Sequence, residues 1–477
     1  MTESATLPAG PADAPAIDPR LAKLTEVPGF LAVIGSQWGT PDRTAPVVDG
    51  AASAAAEHRT RLRAALPGRS IVVGAGRAPV RANDTQYGFR PQSDFCWLTG
   101  CTEAEDAVLV LSPESAVLYL PPPAYPGEND FFASAARGEL WVGAAPGLDD
   151  WSRALGLEVR SLSALDDDLG RLSEPLVTGP VGDDLSSRHG LEASPDLARV
   201  LSELRMIKDE WEIGQLRDAV NQTVAGFAAV VKEFPAAMTG GGERWLQGTF
   251  DRHARTFGNG PGYASIVGSG PHAPTLHWVR CDGPVLPDEV VLLDMGVEAR
   301  SLYTADVTRT FPASGRFSPA QRQVHDLVEK AHRAGLDAVR PGRLYADFTF
   351  AAMEVIVRGL ADWGMLPVSV DEALSPQGQQ HRRYIVCGIG HHLGLDVHDC
   401  AKASDEAYKG AKLAPGMVLT VEPGLYFHAH DLTVPPELRG IGVRIEDDLL
   451  VTDAGAEVLS AALPLTADGL ETWMADA

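Results

Sequence analysis

Cysteine is scarce in this sequence and never forms a C-x-x-C pair. The five present, Cys96, Cys101, Cys281, Cys387 and Cys400, are odd in number. That count argues against a disulfide framework and points to free thiols in a reducing, cytoplasmic setting. Basic residues are in deficit too: 40 Lys and Arg face 64 Asp and Glu, a formal charge of −24. Such a balance speaks against nucleic acid or an anionic membrane surface as partners, since both call for basic patches. No apolar run reaches the roughly 18 residues of a membrane span. The start of the chain lacks the basic stretch and apolar core of a secretory leader.

What is present is the composition of a globular protein, 45% hydrophobic and 22% charged, in 477 residues, enough for two or three domains. Residues 1–25, rich in Ala, Pro, Thr and acids, are expected to be a disordered tail. Over residues 26–190 strand-like runs (70–74, 107–111, 116–120) alternate with helical stretches, which predicts an α/β domain. Within it, Phe89-Arg90-Pro91-Gln92-Ser93-Asp94-Phe95-Cys96-Trp97-Leu98-Thr99-Gly100 shows no clean period. It is either a loop plugging its own core or a wall facing another domain or subunit. From residue 191 to 477 the pattern is α+β. A long helical stretch over 197–234 has a break near Lys208 and Asp209. Helices over 243–257, 318–339 and 345–363 and a largely antiparallel sheet follow.

The second domain is organised around residues 290–310, an apolar strand ending in Asp294, a polar middle, and a second strand that begins at Asp306. A hairpin turning near Ala299 and Arg300 would set Asp294 and Asp306 opposite each other. Facing carboxylates on a sheet are destabilising unless something positive lies between them. Further ligand-type side chains stand in similar company. Ile389-Gly390-His391-His392-Leu393-Gly394-Leu395-Asp396-Val397-His398 sets three histidines among glycines and apolar residues. Glu422 closes the strand-like Val418-Leu419-Thr420-Val421. In Gly442-Val443-Arg444-Ile445-Glu446 a period of two sends Val443 and Ile445 to one face and Arg444 and Glu446 to the other. Asp294, Asp306, one histidine, Glu422 and Glu446 would suit two hard divalent cations. Mn²⁺ is favoured by so oxygen-rich a set, with Zn²⁺, Co²⁺ or Fe²⁺ also fitting. The four carboxylate charges would balance two M²⁺ ions.

The order Asp, Asp, His, Glu, Glu, with Leu293-Asp294-Met295-Gly296, Asp306-Val307-Thr308-Arg309-Thr310, the His391 to His398 segment, Val421-Glu422-Pro423-Gly424 and Arg444-Ile445-Glu446-Asp447-Asp448, resembles the pita-bread metallopeptidases of the aminopeptidase P type. The resemblance extends over nearly the whole chain, with Arg90 to Gly100 similar to the first-domain motif and Glu203 to Lys208 similar to the entry into the catalytic domain. It implies a creatinase-like α/β N-terminal domain and a pita-bread catalytic domain. Asp294, Asp306, His391, Glu422 and Glu446 are then the ligands of a dinuclear site; His391 is preferred over His392 because it keeps the family distance to His398. His277 and His398 match histidines that contact substrate and the developing oxyanion. Arg444 matches an arginine packed against the ligands.

The activity implied is that of a metalloexopeptidase releasing the N-terminal residue from peptides with proline second. Glu422 would take a proton from the activated water and pass it to the leaving amine. The resemblance also implies a homo-oligomer, dimer or tetramer, and suggests that Trp97 reaches the leaving-group pocket across a subunit boundary. Prolidase, with the same architecture and ligands, is the alternative. A non-catalytic binding module is a remoter one, since such modules have lost ligands that this chain keeps. Two departures stand out. Cys387 occupies the place of a usual histidine four residues before the ligand histidine, and the link between the two aspartates is one residue longer than the family spacing.

Overall fold

A computed structural model describes residues 23–476. Of the tail expected over residues 1–25, residues 1–22 lie outside those described, and Leu24–Glu26 forms one 3-10 turn. No helix of the described residues is long and apolar enough to cross a membrane.

The first sheet has five strands: β1 (Ile71–Gly74), β2 (Val108–Leu111), β3 (Ala116–Leu120), β4 (Glu158–Ser161) and β5 (Leu176–Thr178), in the order β4-β3-β2-β1-β5. The β1–β2 and β2–β3 pairs are antiparallel, while β5 and β4 add in parallel at the two edges. Its central strands read as unbroken apolar runs because both faces are covered. Ile71 and Val73 join one buried cluster and Val72 another. Helix α1 (Ala51–Ala65) packs on helix α2 (Ser93–Thr99).

That second helix corrects the reading of residues 89–100 as a loop. Gln92 caps it, its Oε1 accepting from the Phe95 amide at 2.8 Å, and Gly100 ends it in the left-handed region (φ 72°). Every residue of α2 is buried. A helix enclosed on all sides has no polar face, so its sequence carries no 3.6-residue alternation.

The second region begins with α3 (Pro195–Arg205) and α4 (Glu210–Val231). The break falls where the sequence suggests it, because Asp209 and Glu212 form a reciprocal capping box, each side chain accepting the other's amide at 2.9 Å. After α5 (Gly242–Phe257) come β6 (Ile266–Ser269), β7 (Val290–Met295) and β8 (Val307–Pro312), an antiparallel sheet ordered β8-β7-β6. The register differs from the expected one: Asp294 faces Thr308, not Asp306. The turn occupies residues 299–303, closed by the Ala299 amide on the Tyr303 carbonyl at 2.8 Å, with Leu302 at φ 70°. This longer turn absorbs the extra residue and moves the pairing along. Asp306 consequently sits diagonally across from Asp294 on the same face.

Helices α6 (Pro319–Ala338) and α7 (Tyr345–Asp362) pack together and share one buried cluster with the strands. Towards the C-terminal end follow β9 (Val418–Val421), β10 (Gly424–Tyr426), β11 (Gly442–Arg444), β12 (Asp447–Thr452) and β13 (Gly455–Val458). β9 pairs with β12 and β10 with β11, so the strand expected over 442–448 is two strands. Both ribbons break at one level, at Glu422-Pro423 and at Ile445-Glu446, where the Ile445 amide donates to the Pro423 carbonyl at 3.2 Å. The alternation survives the break. Val443 and Ile445 enter the core, while Arg444 and Glu446 line a cleft.

Candidate metal centre

The cleft has a volume of about 1020 Å³, and Asp294, Asp306, His391, Glu422 and Glu446 all line it. Asp294 lies near the end of β7 and Asp306 directly before β8. Glu422 follows β9, and Glu446 precedes β12. His391 is brought in by a segment running beside β9, with its amide on Thr420 Oγ1 at 3.1 Å and its carbonyl on the Thr420 amide at 2.9 Å. Its Nδ1 lies 3.1 Å from the His392 carbonyl. Donation there leaves Nε2 turned toward the carboxylates, 3.3 Å from Asp306 Oδ2 and 3.6 Å from Glu422 Oε1, where it donates to them when protonated and can offer a lone pair to a cation when neutral. Asp306, His391 and Glu446 offer ligand atoms within 4.8 Å of one another.

The electrostatics ask for more positive charge than the residues supply. Among the described residues, the only Lys or Arg in salt-bridge contact with the four carboxylates is Arg444, on Asp294 Oδ2. Burial pushes Glu422 up to about 7, with His391 opposing and Asp306 adding to the rise. Burial and the charges of Asp306, Glu422 and Asp294 hold Glu446 well above the usual carboxylate range. Burial raises Asp294 as well, against the pull of Arg444. His391 moves the other way: burial lowers it, but the bond to Asp306 and the charge of Glu422 carry it up to about 9.

Tyr263 sharpens the point, for its hydroxyl lies 2.6 Å from both Asp294 Oδ1 and Asp306 Oδ1. A phenol has one proton to donate. The second close contact is favourable only if a proton or a cation offsets the facing charges. One oxygen of buried Asp448 has no hydrogen-bond partner among the described residues, and the other accepts the Asp306 amide at 3.1 Å. A set of hard oxygen donors with one imidazole, short of positive charge, fits divalent cations.

Around this cluster, Arg444 donates through Nε to Thr308 Oγ1 at 3.0 Å and through Nη1 to Tyr426 Oη at 3.1 Å, and Thr308 Oγ1 donates to Glu446 Oε2 at 2.7 Å. His398 lies edge-on to His391, ring centroids 4.3 Å apart, and burial lowers its basicity, with His391 and His277 adding to the effect. His277 is exposed on the cleft wall, and among the described residues its ring has no hydrogen-bond partner. Cys387 also lines the cleft, its thiol pushed up by burial. His392 turns away and is buried beside Tyr345 and Tyr408.

Trp97 does not reach the cleft and corrects the expectation that it crosses to a neighbouring subunit. It is 2% exposed, stacked on His58 at 4.2 Å, and donates to Glu212 Oε1 at 3.2 Å. Sequence reasoning missed Tyr263 and Tyr426, because a lone tyrosine beside a strand carries no signal until the strands are paired.

A family model described as metallopeptidase family M24 matches residues 214–453, and one described as aminopeptidase P, N-terminal domain, matches residues 55–176. The chain is 46% identical over 453 residues to Xaa-Pro aminopeptidase 2 of Streptomyces coelicolor, covering 93% of this chain and 95% of the relative. It is 33% identical over 433 residues to Xaa-Pro aminopeptidase of Escherichia coli, covering 86% and 94%. Among solved structures it is similar to aminopeptidase P from E. coli with the inhibitor Pro-Leu (TM-score 0.78, 30% identity, 89% of this chain and 98% of that one). It is similar also to Pseudomonas aeruginosa aminopeptidase PepP (TM-score 0.77, 30% identity, 89% and 98%).

Proposed function

The chain belongs to metallopeptidase family M24, and from that premise we propose that Asp294, Asp306, His391, Glu422 and Glu446 hold two divalent cations serving hydrolysis of an N-terminal Xaa-Pro bond. The protein is a metalloexopeptidase, an Xaa-Pro aminopeptidase in an aminopeptidase P fold. The observation that carries the metal assignment is the convergence of these five side chains on one cleft with too little positive charge to match them. Mn²⁺ suits the oxygen-rich donors, and Zn²⁺, Co²⁺ or Fe²⁺ would be accepted by the same set. Such ions, when bound, polarise a scissile carbonyl and acidify water.

The chain's own residues supply the remaining chemistry. Glu422, at the end of β9 and on the cleft wall beside His391, is placed to take the proton of the attacking water and deliver it to the leaving nitrogen. His277 and His398 both line the cleft, where an imidazole N–H can stabilise negative charge on the carbonyl oxygen as the tetrahedral species forms. Arg444 favours the ionised form of Asp294 against its burial and fixes Thr308, which in turn orients Glu446. Proline makes the scissile amide tertiary, with no N–H. The leaving side therefore requires shape and apolar surface, which Leu276, Val279, Ile389 and Phe350 offer around the cleft.

The relatives named Xaa-Pro aminopeptidase, matched over most of their length, favour this activity over that of a prolidase restricted to dipeptides. The free cysteines support a reducing cytoplasmic location. A homo-oligomer, dimer or tetramer, is proposed from the family resemblance and is checked by size-exclusion chromatography with light scattering. The activity is tested by incubating Mn²⁺-supplemented protein with Arg-Pro-Pro, Ala-Pro and Ala-Ala-Ala. Free arginine from the first is the expected product. Cleavage of Ala-Pro alone would make it a prolidase, and no cut at any Xaa-Pro bond would defeat both readings.

A further inference from the structure

Residues 270–289 join β6 to β7, and those up to 283 carry Leu276, His277 and Val279 into the cleft wall. Their only regular structure is the 3-10 turn Gly270–His272. Since the His277 ring has no hydrogen-bond partner among the described residues, its position is inherited from this backbone. Something outside the segment must therefore hold it.

That something is Glu243, in the first turn of α5 and 0% exposed. Its Oε1 accepts the Ser269 amide at 2.8 Å and lies 2.8 Å from His272 Nδ1. Its Oε2 accepts the Trp278 indole N–H at 2.8 Å and the Gly283 amide at 2.7 Å. Donors from both ends and from the interior of one segment thus meet on one buried carboxylate. The helix adds to the dock: the Glu243 amide donates to the Gly283 carbonyl at 3.0 Å, and Arg244 Nη2 to the Arg280 carbonyl at 2.6 Å. The His272 and Trp278 rings stack with centroids 3.8 Å apart, and Arg280 lies over Trp278 at 4.2 Å. Glycines allow the approach. A Cβ on Gly242 (φ +62°) would meet the Gly283 carbonyl oxygen at 2.5 Å, and one on Gly283 would meet His272 Cε1 at 2.5 Å.

A carboxylate suits this place for two reasons. It is acceptor-only and can satisfy all four donors, and the helix N-terminus favours its charge. A glutamine would turn its NH₂ group toward two of those donors, so half of the bonds would be lost and replaced by donor–donor contacts. Glu243 itself does not line the cleft. Any effect it has on the reaction must pass through the segment it holds.

We propose that Glu243 is the positioning residue for His277, with His272 and Trp278 as the two side chains through which it grips the segment. This rests on the role given to His277 above. The test is a double-mutant cycle with an Xaa-Pro tripeptide, reading kcat, KM and bound Mn²⁺ for wild type, His277→Ala, Glu243→Gln and the pair. His277→Ala is expected to lower kcat about 100-fold, as for loss of one oxyanion donor. Glu243→Gln is expected to lower kcat roughly tenfold at nearly unchanged KM and metal content, and less than about twofold when His277 is already alanine. Equal losses in both backgrounds, or no loss in the wild-type background, would overturn the proposal for Glu243 while leaving His277 in place. An unaffected His277→Ala enzyme would instead overturn the role of His277, and the link from Glu243 to catalysis with it. Should Glu243→Gln fail to fold, Trp278→Phe removes one donor from the same carboxylate and must show the same non-additivity with His277→Ala.

Discussion

Tyr263 offers one proton to two aspartates, each 2.6 Å away, and burial together with those carboxylates raises its own pKa far above the phenol range. It therefore stays neutral and acts as a spacer that sets the distance between Asp294 and Asp306. A group that orients ligands without ligating shifts metal affinity by about 10- to 100-fold when removed. Tyr263→Phe is accordingly expected to weaken Mn²⁺ binding by about tenfold or more, read by isothermal titration, with little change in melting temperature of the metal-free protein. Unchanged affinity would mean that the aspartates are placed by their strands alone. Cys387 is the contrasting case. Burial raises its thiol, so in place of the family's histidine the cleft has here a neutral group that brings no cation of its own.

At the scale of elements, the centre depends on where strands stop. Glu422 and Glu446 stand at the two breaks that separate the β9–β12 pair from the β10–β11 pair, and the aspartates flank the close approach of β7 to β8. At Gly296 that approach leaves no room: a Cβ would lie 1.7 Å from the Ala305 carbonyl oxygen and 3.0 Å from Tyr263 Cε1. Gly296→Ala must push the strands apart, and overpacking of this kind costs about 1–3 kcal/mol. The expected result is a lower denaturation midpoint together with lost metal affinity; a variant with wild-type affinity would show the aspartate spacing to be slack. Much of this was legible beforehand. The strand-ending acids, the alternation at Val443 to Glu446 and the break at Asp209 are local patterns with local causes. The hairpin register was not, because it turns on how residues 299–303 fold around a left-handed, buried Leu302, which only tertiary packing decides. Residues 93–99 hid their helix for a similar reason, since burial on every side erases the period.

At the scale of the whole molecule, the first domain is seated on the segments that carry the candidate ligands. Arg90 donates to Glu298 Oε2 at 2.8 Å and to the Leu395 carbonyl at 2.5 Å, tying the hairpin end to the histidine segment. Nearby, buried Arg205 bonds Asp94 of the first domain and Asp396 and Asp399 of the second. At the same junction His58 places Nδ1 2.7 Å from the Trp97 carbonyl and Nε2 2.8 Å from Asp209 Oδ2, two acceptors that call for an imidazolium. Burial alone would lower its pKa, but the bonds to Asp209 and Glu212 raise it to about 9. A raised histidine stabilises the fold fully below its unfolded pKa of about 6.5, and that share is lost as pH climbs through the folded value. The share is roughly 3 kcal/mol by linkage. His58→Gln should therefore destabilise the protein most at pH 6 and much less at pH 9.5 in urea unfolding; an equal cost at both would show His58 to be neutral in the fold. The most direct test of the account is metal content. Purified protein equilibrated with Mn²⁺ and analysed by inductively coupled plasma mass spectrometry should hold about two ions per chain, falling to one or none in Asp306→Asn and His391→Ala. Wild-type protein that holds no ion, or variants that keep both, would contradict it.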